Sequence, residues 1–139
     1  LFESHLLEEM QRSLHPDLAV VDKFQPPMNG TIIFAKSGVA TAMILKINQP
    51  VDFDYRGALK TVNIYAFNRV TLQDYLLPAL GAWVSKGQTD QFYEVAISQL
   101  IAQGDLLLAT HLIGNGNWAE IDELEDIRRA EEVVARWAN

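Results

Sequence analysis

The segment Leu59-Lys60-Thr61-Val62-Asn63-Ile64-Tyr65-Ala66-Phe67 carries the strongest β signal in the chain. Side chains alternate across a strand, so Val62, Ile64 and Ala66 share one face while Thr61, Asn63, Tyr65 and Phe67 share the other. Both faces are largely apolar or aromatic, which predicts a central strand with layers packed on each side. A sheet must form around it. Asn63, an amide in the middle of such a strand, needs a hydrogen-bond partner, either a neighbouring loop or a bound ligand.

The remaining segments supply that sheet and its helices. Leu18 to Phe24 reads as a short buried strand that ends in Asp22-Lys23, where a polar group can face a cleft and where Lys23 becomes a candidate ligand contact. Thr31 to Lys36 and Thr41 to Ile47, split by Ser37-Gly38, read as a hairpin, so the sheet is mixed. Leu106 to Thr110 and Trp118 to Ile121 complete the strands, with a turn at His111 to Asn117 between them. Helices are expected after Ser4, with Leu7, Met10 and Leu14 on one side; from Thr71, bent by Pro78; from Thr89 or Asp90 to Gly104; and over 123–138, with Leu124, Ile127, Ala130, Val134 and Trp137 as the buried stripe. The polar stretch from Asn48 to Gly57 is a surface loop that either connects or closes over a ligand.

Composition excludes several function classes. The chain has 139 residues, one domain by length, and a net charge of −7 from 18 acidic and 11 scattered basic residues, so a nucleic-acid backbone is not an expected partner. No polybasic patch suits a membrane surface, and no apolar run is long enough to span one. The absence of cysteine removes thiolate chemistry and accords with a cytoplasmic protein that has no secretory signal. Without a Gly-x-Ser-x-Gly elbow or a phosphate-cradling glycine loop, the candidate chemistry rests on carboxylates and Lys60. Such residues suit phosphate and divalent metal better than acyl transfer.

Two acidic positions stand out. Trp118-Ala119-Glu120-Ile121-Asp122-Glu123-Leu124-Glu125-Asp126 delivers a cluster of carboxylates to the mouth of a helix. Asp122 there is either an N-cap, with Glu125 completing a capping box, or a hard-oxygen ligand for magnesium. Glu94 lies three residues before Ile97 and seven before Ile101, hence close to a buried stripe. A carboxylate so placed requires a lysine, a hydroxyl or a water-lined cleft, unless it snorkels to solvent.

Taken in order, Asp22-Lys23-Phe24, Met28-Asn29-Gly30-Thr31, Lys60-Thr61-Val62-Asn63-Ile64-Tyr65, Phe92-Tyr93-Glu94 and Trp118-x-Glu120-Ile121-Asp122 resemble the sugar-phosphate and phosphocholine type of nucleotidyltransferase, in particular its phosphocholine and aminoethylphosphonate cytidylyltransferase branch. The resemblance covers nearly all of this chain but only the later part of the family domain. It implies an α/β fold with a mixed, mainly parallel Rossmann-like sheet flanked by helices, and transfer of a nucleotidyl group from CTP or another NTP to a phosphate or phosphonate acceptor with release of pyrophosphate. It further implies Mg2+ held by Asp122 with Glu120 orienting it, Lys60 on the acceptor phosphate, and Glu94, Asn63 and Tyr65 in the acceptor pocket. The family's glycine-rich nucleotide loop and first magnesium aspartate are expected upstream of Leu1, and Asn29 stands where the family has an aspartate. The chain thus reads as the acceptor- and metal-binding part of a longer polypeptide, expected by itself to bind NTP weakly and not to turn over. The alternative is a non-catalytic small-molecule-binding or assembly domain that keeps the fold. An incomplete sheet would also leave edges through which the chain self-associates.

Overall fold

The computed structural model describes residues 1–114 and 117–137. Five strands, β1 (Leu18–Lys23), β2 (Ile32–Lys36), β3 (Val39–Ile44), β4 (Leu59–Ala66) and β5 (Ala109–Leu112), follow the order β1-β4-β2-β3-β5 and close into a barrel. Only β1 and β5 pair in parallel; the other four pairings are antiparallel. The expected mainly parallel Rossmann-like sheet flanked by helices is therefore incorrect. Its physical requirement is missing: parallel neighbours need a crossover long enough for a helix, whereas β1 reaches β2 through loop 24–31 and β3 reaches β4 past nothing more than the 3-10 turn Lys46–Asn48.

Closure depends on the β2–β3 hairpin, whose turn residues Ser37 and Gly38 both have positive φ, 52° and 77°. That is the backbone twist a two-residue hairpin turn needs. The hairpin carries Val39 opposite Ala109, and the Ala40 N–H donates to the Leu108 carbonyl at 2.8 Å. The open edge invoked for self-association is consequently closed off among the described strands. Ala19, Val21, Ile33, Met43, Ile97 and Leu108 fill the main core, and helix α3 (Glu94–Gln103) lies on β3, where the Ser98 hydroxyl donates to the Met43 carbonyl at 2.7 Å. Gly104 ends α3 in the left-handed region, φ 80°, as its glycine predicts.

The other helices depart from their sequence patterns in register. Helix α1 (His5–Arg12) buries Leu6, while Leu7 and Leu14 are exposed. Pro78 lacks an amide donor, and the chain answers with a wide π-helical stretch, Thr71–Leu76, before α2 (Leu77–Ser85). Helix α4 (Leu124–Trp137) buries Ala130 and Val133 against Ala119 and leaves Leu124 exposed. Trp118 to Ile121 is not a strand; Trp118 makes a single bridge to Phe2. In the turn expected at His111 to Asn117, and at the end of the helix expected over 123–138, residues 115–116 and 138 lie outside the described residues. No helix among the described residues is long and apolar enough to cross a membrane.

Candidate functional site

One cleft, about 710 Å³ in volume, opens between the 28–31 turn, β4, the start of α3 and α4. Lys60, Asn63, Glu94, Glu120 and Asp122 all line it. Lys23 does not: it sits exposed at the end of β1, and Tyr65 lies behind the lining, bonded to Glu94 and packed edge-on against Tyr93.

Lys60 is buried, with 2% of its surface exposed. Its ammonium donates to the Thr61 carbonyl at 2.7 Å, lies 3.4 Å from Glu120 Oε2, and faces the Trp118 ring at 5.9 Å from the centroid. A buried ammonium is costly unless paired, and here one carboxylate and one aromatic face share that task. Trp118 is itself fixed from behind, its indole N–H donating to Asp22 Oδ2 at 2.8 Å.

Asn63 is exposed rather than buried, because β4 bulges there. Between the pairs Ala19↔Tyr65 and Val21↔Thr61, β1 advances from 19 to 21 while β4 advances from 61 to 65. Asn63 takes φ 59° within this bulge, and its amide donates to Glu120 Oε1 at 2.9 Å. Both oxygens of Glu120 are thus engaged, one by Asn63 and one by Lys60. Thr61 and Tyr65, on one face of β4, both bring their hydroxyls to the same carboxylate, Glu94.

Glu94 opens α3 and is buried, 8% exposed. Its Oε2 accepts from the Thr31 hydroxyl at 2.6 Å and its Oε1 from the Tyr65 hydroxyl at 2.8 Å; the Thr61 hydroxyl lies 3.4 Å from Oε1 but nearer, at 3.2 Å, to the Thr31 carbonyl. Hydroxyl donors stabilise a buried carboxylate without cancelling its charge, and no cation among the described residues pairs with it. The charge is felt nearby. Burial first, and the Glu94 carboxylate second, raise the Tyr65 phenol far above its ordinary value, and the same two causes, followed by Glu120, push Tyr93 up to about 12.

At the entrance of α4 the expected cap is displaced by one residue. Asp126, not Glu125, reaches back, its Oδ2 accepting the N–H groups of Asp122 at 3.1 Å and Glu123 at 3.0 Å. Asp122 therefore is not the side chain that caps the helix, and its carboxylate has no hydrogen-bond partner among the described residues. Among those residues no group of three His, Cys, Asp or Glu is placed to hold a metal ion. A magnesium ion here finds the disengaged carboxylate of Asp122, with those of Glu123 and Glu125 also on the cleft, and fits only with water and substrate oxygens completing its shell, a common arrangement for that ion. The cleft's charged lining comprises Lys46, Lys60, Arg129 and Arg136 against Glu94, Glu120, Asp122, Glu123, Glu125 and Asp126. That imbalance disfavours a bare anion and favours a ligand that brings a positive charge or a cation with it.

Sequence reasoning missed the hydroxyls of Thr31 and Thr61, whose contacts depend on where Glu94 packs, and Gly30, whose role depends on where Lys60 packs. An Asn29-Gly30 turn next to a threonine was the available signal.

No protein-family model matches the chain. Over 134 residues, 94% of its length, the chain is 31% identical to CMP-5'-(3-aminopropyl)phosphonate synthase of Streptomyces rubellomurinus. The chain spans 21% of that protein's length, about a fifth. The likeness supports, at the level of family, the cytidylyltransferase resemblance seen in the residues.

Proposed function

We propose that this chain is the acceptor-binding part of a nucleotidyltransferase that joins a cytidylyl group from CTP to an aminoalkylphosphonate and releases pyrophosphate. The observation that carries the reading is the presence, on one cleft, of a buried ammonium, Lys60, and a buried carboxylate without a cation, Glu94. An acceptor with an anionic end and an ammonium end complements both. The relative's name, which contains an aminopropylphosphonate, agrees with that chemistry.

In this reading Lys60 holds the phosphonate and Glu94, held by the Thr31 and Tyr65 hydroxyls, receives the ammonium. Asn63 keeps Glu120 against Lys60, and Asp122 is the carboxylate offered to Mg2+. When bound, the metal supplies neutralisation of phosphate charge. A phosphonate oxygen attacks the α-phosphorus of CTP, the bond from that phosphorus to the β-phosphate bridging oxygen breaks, and pyrophosphate departs. Orientation of the acceptor is the chain's contribution to the rate. Lys23 has no part in it. The same reading places the protein in the cytoplasm, consistent with its lack of cysteine.

A non-catalytic binding domain is the second reading, favoured by the lack, among the described residues, of any group of three side chains placed to hold a metal ion. Pyrophosphate release by the protein that carries this chain, supplied with CTP, Mg2+ and 3-aminopropylphosphonate, separates the two. Acceptor-dependent release supports transfer; acceptor binding without release supports the binding domain.

A further inference from the structure

Asp22 is buried, 3% exposed, at the end of β1, and it stands directly opposite Lys60 in the β1–β4 ladder. It is not among the residues that line the cleft, so a ligand there does not touch it. Its two oxygens have separate duties. Oδ1 accepts the Lys23 backbone N–H at 2.8 Å, and Oδ2 accepts the Trp118 indole N–H at 2.8 Å.

The indole N–H of Trp118 has Asp22 as its hydrogen-bond partner. Trp118 follows β5 outside any strand, and its backbone is anchored through the bridge to Phe2, with the Ala119 N–H donating to the Leu1 carbonyl at 2.9 Å. Those contacts act on the main chain, whereas the direction of the half-buried ring is set by rotation about its side-chain bonds. The bond to a charged, buried acceptor restrains that rotation. It also draws the indole proton toward a carboxylate, which enriches the ring face on which the Lys60 ammonium rests.

We infer that Asp22 is a positioning residue for anion recognition: it sets the Trp118 ring, and the ring sets the Lys60 ammonium. This rests on the reading of Lys60 as the group that holds the acceptor's anionic end. Asp22→Asn keeps the size of the side chain but weakens the bond to the indole. Trp118→Phe keeps a ring and removes the N–H, so it interrupts the same relay at its middle.

A double-mutant cycle tests the inference, with 3-aminopropylphosphonate as the calorimetric probe. Asp22→Asn is expected to weaken binding roughly five- to tenfold in the wild-type background, the scale of a lost cation–π contact. In a Lys60→Met background or a Trp118→Phe background it is expected to change binding by less than about twofold, because the relay is already cut. Equal weakening in all three backgrounds, or none in the wild type, overturns the proposal. Should the wild-type protein not bind the probe, the acceptor reading fails, and the relay is then decided without ligand. The 15Nζ resonance of the Lys60 ammonium is expected to shift in both Asp22→Asn and Trp118→Phe. An unmoved resonance in both variants overturns the relay; melting curves of each variant establish that it is folded.

Discussion

A β-carbon on Gly30 would stand 3.1 Å from the Lys60 Nζ and 3.2 Å from its Cε. Gly30 also has φ 109°, where L side chains are strained. Two independent constraints thus reserve this position for glycine, and the second of them concerns the site. Gly30→Ala is expected to lower the unfolding free energy by about 1–3 kcal/mol through backbone strain and to displace the ammonium. Gly38→Ala is the control: φ is 77°, but nothing lies within 4 Å. Urea denaturation should register both substitutions, whereas only Gly30→Ala should move the Lys60 15Nζ resonance.

Glu94 accepts the hydroxyls of Thr31 and Tyr65, so shortening it strands two buried donors at once. Glu94→Ala is expected to cost about 1–3 kcal/mol, the penalty for unsatisfied buried polar groups. Glu94→Gln keeps one acceptor oxygen and the side-chain volume, and should cost less. Denaturation midpoints of the two variants check the order; a Gln variant as unstable as the Ala variant would count against the hydroxyl cradle.

Tyr65 and Tyr93 make stability fall in alkali. Both phenols are raised from the ordinary 10.0, so the folded protein holds its phenolic protons more tightly than the unfolded chain does. Their contribution is intact below pH 10 and is lost as pH rises, toward about 12 for Tyr93 and beyond that for Tyr65. Thermal midpoints followed upward from pH 10 should decline more gently in Tyr65→Phe than in the wild type. Because the Glu94 charge is one cause of both shifts, Glu94→Gln should bring tyrosinate absorbance to lower pH.

Asp126 receives two backbone N–H groups at the start of α4, from Glu123 first and Asp122 second, and these hold its carboxyl below the ordinary 3.8. A lowered value means the stabilisation is present above 3.8 and disappears as pH falls through the folded value. Asp126→Asn should therefore reduce helical circular dichroism or the melting temperature at neutral pH. The gap between variant and wild type should close in acid. A gap that persists unchanged there would show that the cap does not depend on charge.

The sequence revealed local elements better than their assembly. Ser37-Gly38 and Gly104 act through backbone preferences that belong to the residues themselves, so the hairpin and the end of α3 were legible. Pairing was not. Apolar runs state that a strand is buried without saying which neighbour it meets, so the arrangement rested on the family resemblance, and its mainly parallel Rossmann-like sheet is overturned by the closed strand order. The helical stripes of α1 and α4 failed differently: the chain is rich in Leu and Val on several faces, and burial chose Leu6 and Val133 over Leu7 and Leu124. At the site, Glu94 and Asp122 could be singled out by type and spacing and Lys60 as the lysine that leads a strand, whereas the part of Glu120 entered only through the family resemblance. Asn63 was placed on the wrong side of solvent because a bulge in β4 breaks the alternation on which the reading relied.

The central claim is that Lys60 and Glu94 together recognise a ligand with two opposite charges. Titration calorimetry of 3-aminopropylphosphonate, propylphosphonate and propylamine against the wild type, Lys60→Met and Glu94→Gln tests it most directly. The wild type is expected to prefer the zwitterion by roughly tenfold or more over either singly functional compound, with Glu94→Gln erasing the preference over propylphosphonate and Lys60→Met erasing the preference over propylamine. Equal affinity of the wild type for all three compounds, or a preference that survives both substitutions, would contradict it.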